Sequence, residues 1–288
     1  MNFIRKIDNN FPILILITVL FFSLGASLAY YLGSEIHSIE IIIGILWALS
    51  LLIAAKTFAF IRSINTINSL DSINIYEEDH HKYQIFLLVM IFAGLVFLTA
   101  LILSKMQQFF LWGLFLLSYA VLFLLPVLFK KNTAIYPVLI SIFQGSLVPA
   151  ISYNLFSSGI HRSLTLMVFP LTLISIAVNI ALEFSTFARD EMVDRKTIIR
   201  SIGWKRGILL HHFLLLISIL FLLLFVGKGL PSKFDLPIIL TSPLVLFDII
   251  WLQRIKAGYR PVWPFFNALS LSIICIIVYL FTFTLWIN

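Results

Sequence analysis

The chain has 288 residues, 61% of them hydrophobic and 11% charged, with a mean hydropathy of +1.06 and a formal charge of +7. A soluble domain carries about 25% charged residues, so this composition excludes a soluble enzyme, a disordered chain and a secreted disulfide scaffold. The single cysteine, Cys275, excludes a disulfide framework and a thiolate metal site. What remains is an all-α, polytopic membrane protein, in which a basic excess speaks for orientation and anionic lipid, with no nucleic acid as partner.

A spanning helix needs about 20 mostly apolar residues. Runs of that kind predict nine spans, over 11–32, 39–61, 84–104, 108–129, 134–153, 164–187, 207–227, 236–253 and 262–287. The runs are continuous rather than alternating, which excludes a β-barrel. Arg5 and Lys6 precede the first run as they would a signal peptide. That run is longer than the ~7–15 apolar residues of a signal h-region, and it is read as a helix.

Lys and Arg divide unevenly between the alternating loops: fifteen fall with the N-terminus, and four (Lys105, Arg162, Lys228 and Lys233) fall on the other side. The positive-inside rule then places the N-terminus in the cytoplasm and the C-terminus outside a cell membrane. Residues 1–288 are read as one transmembrane domain. Two cytoplasmic loops, 62–83 and 188–206, are longer than the rest and cap the expected active site, because charged loops on one face are where chemistry sits.

The sixth span ends in a line of acids. Each residue turns a helix by ~100°, so Glu183, Asp190 and Asp194 fall within about 40° of one another, with Arg189, Arg195 and Lys196 beside them. Carboxylates on one face with basic residues alongside suit a Mg²⁺-diphosphate ligand. The same charges would also suit a solvated helix end. Glu183, about two turns inside the span, argues for a cavity or a partner, because acids are expensive in a membrane.

The run Arg189-Asp190 to Asp194-Arg195-Lys196, followed by Thr197-Ile198, Ile202-Gly203 and Gly207, resembles the second aspartate-rich motif of the UbiA superfamily of intramembrane prenyltransferases. Glu183, Ser185 and Arg189 match the spacing of a subgroup that opens this motif with Glu-x-Ser. The few residues that usually separate the Arg-Lys pair from the Thr are missing here. Lys130-Lys131 and Thr133 ahead of the fifth span, with Gln144-Gly145 inside it, resemble another junction of the family.

The family's first aspartate motif closes the second helix, and here it is eroded. Asn65, Asn68, Ser69 and Ser72 stand, within a residue or so, where acids are expected after Arg62, and the one carboxylate, Asp71, is out of register. The acids and histidines that follow, Glu77 to His81, read as a solvated loop. Within the spans, Lys56 and Asp248 sit at similar depth and could pair across the bundle, or Lys56 could snorkel to the interface. His211 and His212 are placed at the membrane interface.

The resemblance implies nine helices around a central cavity and transfer of a prenyl group from a prenyl diphosphate to a lipophilic acceptor, possible acceptors including aromatic quinone precursors. It implies Mg²⁺ on Asp190 and Asp194, and Asn65 and Asn68 beside them as the remaining catalytic pair. Arg62, Asp71, Lys130, Lys131, Glu183, Arg189 and Arg195 would bind the substrate, and membrane lipids would surround the bundle. Two rival readings stay open: a degenerate family member that binds isoprenoids without turnover, and a small-molecule transporter. A transporter would want acids at mid-membrane, whereas most acids here crowd one face.

Overall fold

In lipid a backbone N–H or C=O has no water to bond, so an apolar run must satisfy its own backbone, and a helix does so. The computed structural model describes residues 11–68, 77–105, 108–128, 134–192, 197–226 and 232–287. Residues 11, 62–68, 77–81, 103–104, 189–190, 192 and 232 are described by their backbone. Ten helices follow in chain order: α1 (Phe11–Tyr31), α2 (Ser38–Asn68), α3 (Glu77–Ser104), α4 (Phe109–Leu128), α5 (Ile135–Phe156), α6 (Arg162–Met192), the short α7 (Ile198–Ile202), α8 (Trp204–Val226), α9 (Asp235–Lys256) and α10 (Trp263–Ile287). All but α7 are long and apolar enough to cross a membrane, which makes nine among the described residues, as predicted. No strand occurs among those residues.

Two boundaries differ from the sequence expectation. Helix α2 runs on to Asn68 and α3 starts at Glu77, so most of the expected loop 62–83 is helix, including His80 and His81. Likewise α6 runs to Met192, and α7 and α8 take up much of 188–206. Hydropathy marks where a helix leaves lipid. It does not mark where the helix ends, because the backbone ladder continues in water without penalty.

Helices α1, α5, α6 and α10 form the centre. Two thirds of α5 and of α6 is buried in the bundle, against 11% of α3, which lies outermost. Helix α10 packs on α1, α6 and α9, and so closes the ring of helices against its first member. Small residues allow the close approaches. A Cβ on Gly25 would run into the Pro149 carbonyl oxygen and stand 2.8 Å from Ser152 Cβ, and a Cβ on Gly145 would stand 2.9 Å from Thr172 Cα. Side-chain hydrogen bonds cross the same seams, as expected where no hydrophobic force drives helix against helix. Gln144 Nε2 donates to Leu14 O at 3.1 Å and to Thr18 Oγ1 at 2.8 Å, and Ser152 Oγ donates to Phe22 O at 2.6 Å. Ser146 and Thr172 are 2.7 Å apart, and Asn179 Nδ2 donates to Ser141 Oγ at 2.8 Å.

Helices α4 and α5 each contain a π-helical turn, at Ala120–Leu124 and Phe143–Leu147, where the next amide reaches back five residues (Leu125 to Ala120, Val148 to Phe143). Helix α6 carries Pro170 and α9 carries Pro243, whose missing donors are tolerated in a bundle that supplies other partners.

Candidate functional site at the end of α6

Two acid-motif regions sit at one face of the bundle, the one that carries the start of α1. The last two turns of α2 hold Arg62, Asn65 and Asn68, and the last turns of α6 hold Glu183, Arg189 and Asp190. The first half of α5, Ile135–Ile142, touches both α2 and α6. Asp71, Lys130, Lys131, Asp194 and Arg195 lie outside the described residues. Among the described residues no three His, Cys, Asp or Glu side chains come together as a metal site.

Glu183 is the member of the acid line whose side chain is described. Its Oε2 accepts the backbone N–H of Ile199 at 3.2 Å. The local sequence explains this. Thr197 has extended geometry (φ −113°, ψ 167°) and caps α7, accepting Arg200 N–H on its hydroxyl at 3.3 Å. A helix start leaves four amides without partners; Thr197 satisfies one, and Glu183 reaches across from α6 to satisfy the next. Gly203 then stops α7. Its φ of +86° is a conformation that side chains resist, and it turns the chain directly into α8 at Trp204. An aromatic collar surrounds this corner: Phe184 and Trp204 have ring centroids 4.8 Å apart, Phe187 and Trp204 5.4 Å, and Trp204 and Trp263 6.2 Å.

A second polar cluster lies deeper, between α8, α9 and α10, and sequence reasoning missed it. Asp248 is fully buried and faces two partners. Ser270 Oγ donates to its Oδ1 at 2.6 Å, and His211 Nε2 stands 3.2 Å from its Oδ2. The His211 approach is at ion-pair distance without the alignment of a hydrogen bond. His211 Nδ1 is 3.3 Å from His212 Nδ1, which gives a line from half-buried His212 inward to Ser270. Nearby, Asn267 Nδ2 donates to Ser185 Oγ at 3.2 Å, tying α10 to α6.

This corrects two expectations. Asp248 pairs with His211 and Ser270 rather than Lys56, and His211 is wholly buried rather than interfacial. Depth along a span can be counted from sequence, which is the ground for matching Asp248 with Lys56. The direction in which each side chain points around its helix decides the partner, and counting does not supply it. The available signal was that His211, Asp248 and Ser270 each lie seven or eight residues from the same face of the bundle.

No family model and no curated protein sequence matches the chain. Solved structures do match by fold. A digeranylgeranylglyceryl phosphate synthase structure superposes with a TM-score of 0.61 at 14% identity, over 98% of this chain and 100% of the other. A UbiA homologue from Archaeoglobus fulgidus, bound to GPP and Mg²⁺, superposes with a TM-score of 0.58 at 14% identity, over 97% and 100%. The chain is therefore a multi-pass, all-α membrane protein with the fold of these two proteins along its whole length.

Proposed function

We propose that the chain is a divergent UbiA-type prenyltransferase of the cell membrane, with a cytoplasmic N-terminus and an outside C-terminus, which moves a prenyl group from a prenyl diphosphate to a lipophilic acceptor. The observation that carries this reading is the coincidence of two independent signals. The fold is shared end to end with a UbiA homologue that binds GPP and Mg²⁺, and Asp190 lies in the last turn of the sixth spanning helix, with Asp194 four residues on in the sequence.

The donors fit Mg²⁺. Asp190 and Asp194 are hard oxygen ligands one helical turn apart in sequence, and Asn65 and Asn68 supply neutral oxygens from α2. Bound there, Mg²⁺ would supply charge neutralisation for the diphosphate. Arg62, Lys130, Lys131, Arg189 and Arg195 would offset the remaining phosphate charge as the bond from the prenyl C1 to oxygen breaks, and Asp71 belongs to the same substrate-binding set. Stabilising charge that develops in the transition state is the largest single term in such catalysis. The acceptor's electron pair forms the new bond to C1, and its proton leaves with the diphosphate. The prenyl tail would lie between helices in the bilayer.

A second reading, an isoprenoid-binding protein without turnover, is favoured by one feature: Asn65 and Asn68 carry no charge where the family pattern has acids. One experiment separates the two. Purified protein is incubated with labelled prenyl diphosphates and membrane lipid extract, with and without Mg²⁺, as wild type and as Asp190→Ala/Asp194→Ala. The enzyme reading expects Mg²⁺-dependent labelled product that the double variant does not make. Mg²⁺-dependent binding without product supports the second reading. Unchanged Mg²⁺-dependent binding in the double variant refutes the site.

A further inference from the structure

The face opposite the candidate site, where α1 and α10 end and α9 begins, holds a groove of its own. Its cause is local. The turn Ser232–Phe234 leads into α9, and Phe234 is buried edge-on against Phe281 of α10, ring centroids 5.0 Å apart. Phe234 thereby pins the start of α9 to α10. Pro237 and Ile238 are buried behind it, so the first turns of α9 aim Leu236, Ile239 and Leu240 outward. These three stand across from Leu280, Phe283 and Ile287 of α10 and bound an open space of about 660 Å³. Lys233 and Asp235, both exposed, line the end of it where α9 starts.

Depth limits what the groove can take. Leu280 to Ile287 is about 10 Å of helix, against a hydrocarbon core about 30 Å thick, so the groove stays within one leaflet. Its charged end lies at the membrane–water interface. Trp286 and Tyr30, at the ends of α10 and α1, have ring centroids 4.8 Å apart and are about half exposed, and Trp and Tyr collect at headgroup depth. Composition limits it further. A partner helix fits poorly, because helices approach one another in membranes through small residues, and these walls are Leu, Ile and Phe. An acyl chain needs only the apolar walls. At the interface end, one cation and one anion stand two residues apart in sequence. A headgroup bearing phosphate alone would be drawn to Lys233 and repelled by Asp235, whereas one bearing phosphate and ammonium complements both.

We propose that this groove binds a zwitterionic phospholipid of the leaflet opposite the start of α1. An acyl chain lies between α9 and α10, the phosphate faces Lys233 and the headgroup ammonium faces Asp235. On the orientation proposed above this is the outer leaflet. The site does not depend on the prenyltransferase reading, whose residues belong to the other face.

The test uses the full-length protein in mild detergent micelles, titrated with phosphatidylethanolamine or phosphatidylglycerol that carries a photoactivatable diazirine on one acyl chain. Labelled peptides are mapped after illumination. The exposed apolar face of α3 around Leu88 and Phe92 is the control for lipid that touches any surface. Labelling of 236–240 and 280–287 is expected to half-saturate at about fivefold lower phosphatidylethanolamine than phosphatidylglycerol, with no such preference on α3. Asp235→Asn should abolish the preference, and Lys233→Gln should weaken groove labelling by both lipids about fivefold. Both side chains are exposed, so these variants keep the fold, which circular dichroism checks. Leu240→Trp, which fills the groove, should lower its labelling and leave that of α3 unchanged. Groove labelling no tighter than that of α3 means bulk lipid only and overturns the proposal. A preference that survives Asp235→Asn, or labelling indifferent to Lys233→Gln or Leu240→Trp, overturns it as well. Groove labelling that appears only when the chain is monomeric makes a second copy the occupant, with the same result.

Discussion

Replacing both members of the His211–Asp248 pair should cost much less than the sum of replacing each alone. Both side chains are fully buried, 3.2 Å apart, and Asp248 also accepts from Ser270 at 2.6 Å. A buried polar group left without its partner costs about 1–3 kcal/mol, more where it is charged, while apolar replacement of both partners is often neutral. Asp248→Leu strands His211 and the Ser270 hydroxyl, and is expected to destabilise by about 3 kcal/mol or more. His211→Leu leaves Asp248 with Ser270 alone, and a cost of about 2–3 kcal/mol is expected, since one polar partner survives. The double variant should fall well short of their sum, with a coupling of roughly 2 kcal/mol, within the range measured for residues in contact. Ser270→Ala breaks one interhelical hydrogen bond, and such bonds in membranes average about 0.6 kcal/mol with a maximum near 1.7. Unfolding of the purified protein, followed by circular dichroism as denaturing detergent is titrated into mild micelles, measures all four. Additive single costs, or single costs below about 0.5 kcal/mol, would refute the argument that α8, α9 and α10 are joined through this pair.

Other outcomes follow from geometry already described. Gly25→Leu should force α1 off α5, because even its Cβ collides with the Pro149 carbonyl oxygen; a loss of at least about 2 kcal/mol in the same titration is expected, combining overpacking with the Ser152–Phe22 hydrogen bond. If the proposed orientation holds, as the fifteen-to-four basic asymmetry predicts, a C-terminal reporter that is active only outside the cytoplasm should be active on this chain. A reporter active only in the cytoplasm would overturn that orientation.

Spans were legible in the sequence because a membrane makes hydropathy nearly sufficient: each predicted run is a helix, displaced at its ends by a few residues. The helical extension over 77–83 was not legible, since the charges of Glu77 to Lys82 suit a solvated loop and a helix that has left lipid alike, whereas the family resemblance already put Asn65 and Asn68 at the close of the second helix. For the candidate site, the motif residues could be named from spacing, and the backbone puts Asn65, Asn68 and Asp190 on helix ends at one face. The bond from Glu183 to Ile199 could not be read, because it depends on how the start of α7 lies against α6. Nor could the Asp248 pairing, which depends on how three helices are rotated about their own axes.

The π-helical turn in α5 has a consequence of phase. Gln144 and Ser152 both bond to α1, at Leu14 and Thr18 on one side and Phe22 on the other. Eight residues of regular α-helix turn through about 800°, which would leave the two side chains about 80° apart and only one of them on the seam. The wider turn at Phe143–Leu147 absorbs a surplus residue and brings them back into line. Register with α1 is thus kept by the wide turn in spite of one surplus residue. Deleting one residue between Phe143 and Leu147 would heal the helix and leave Ser152 and everything after it in α5 on the same seam, since the remaining seven residues turn through about 700°, and a relative with a regular fifth helix can be aligned to this chain only through a one-residue gap in mid-membrane.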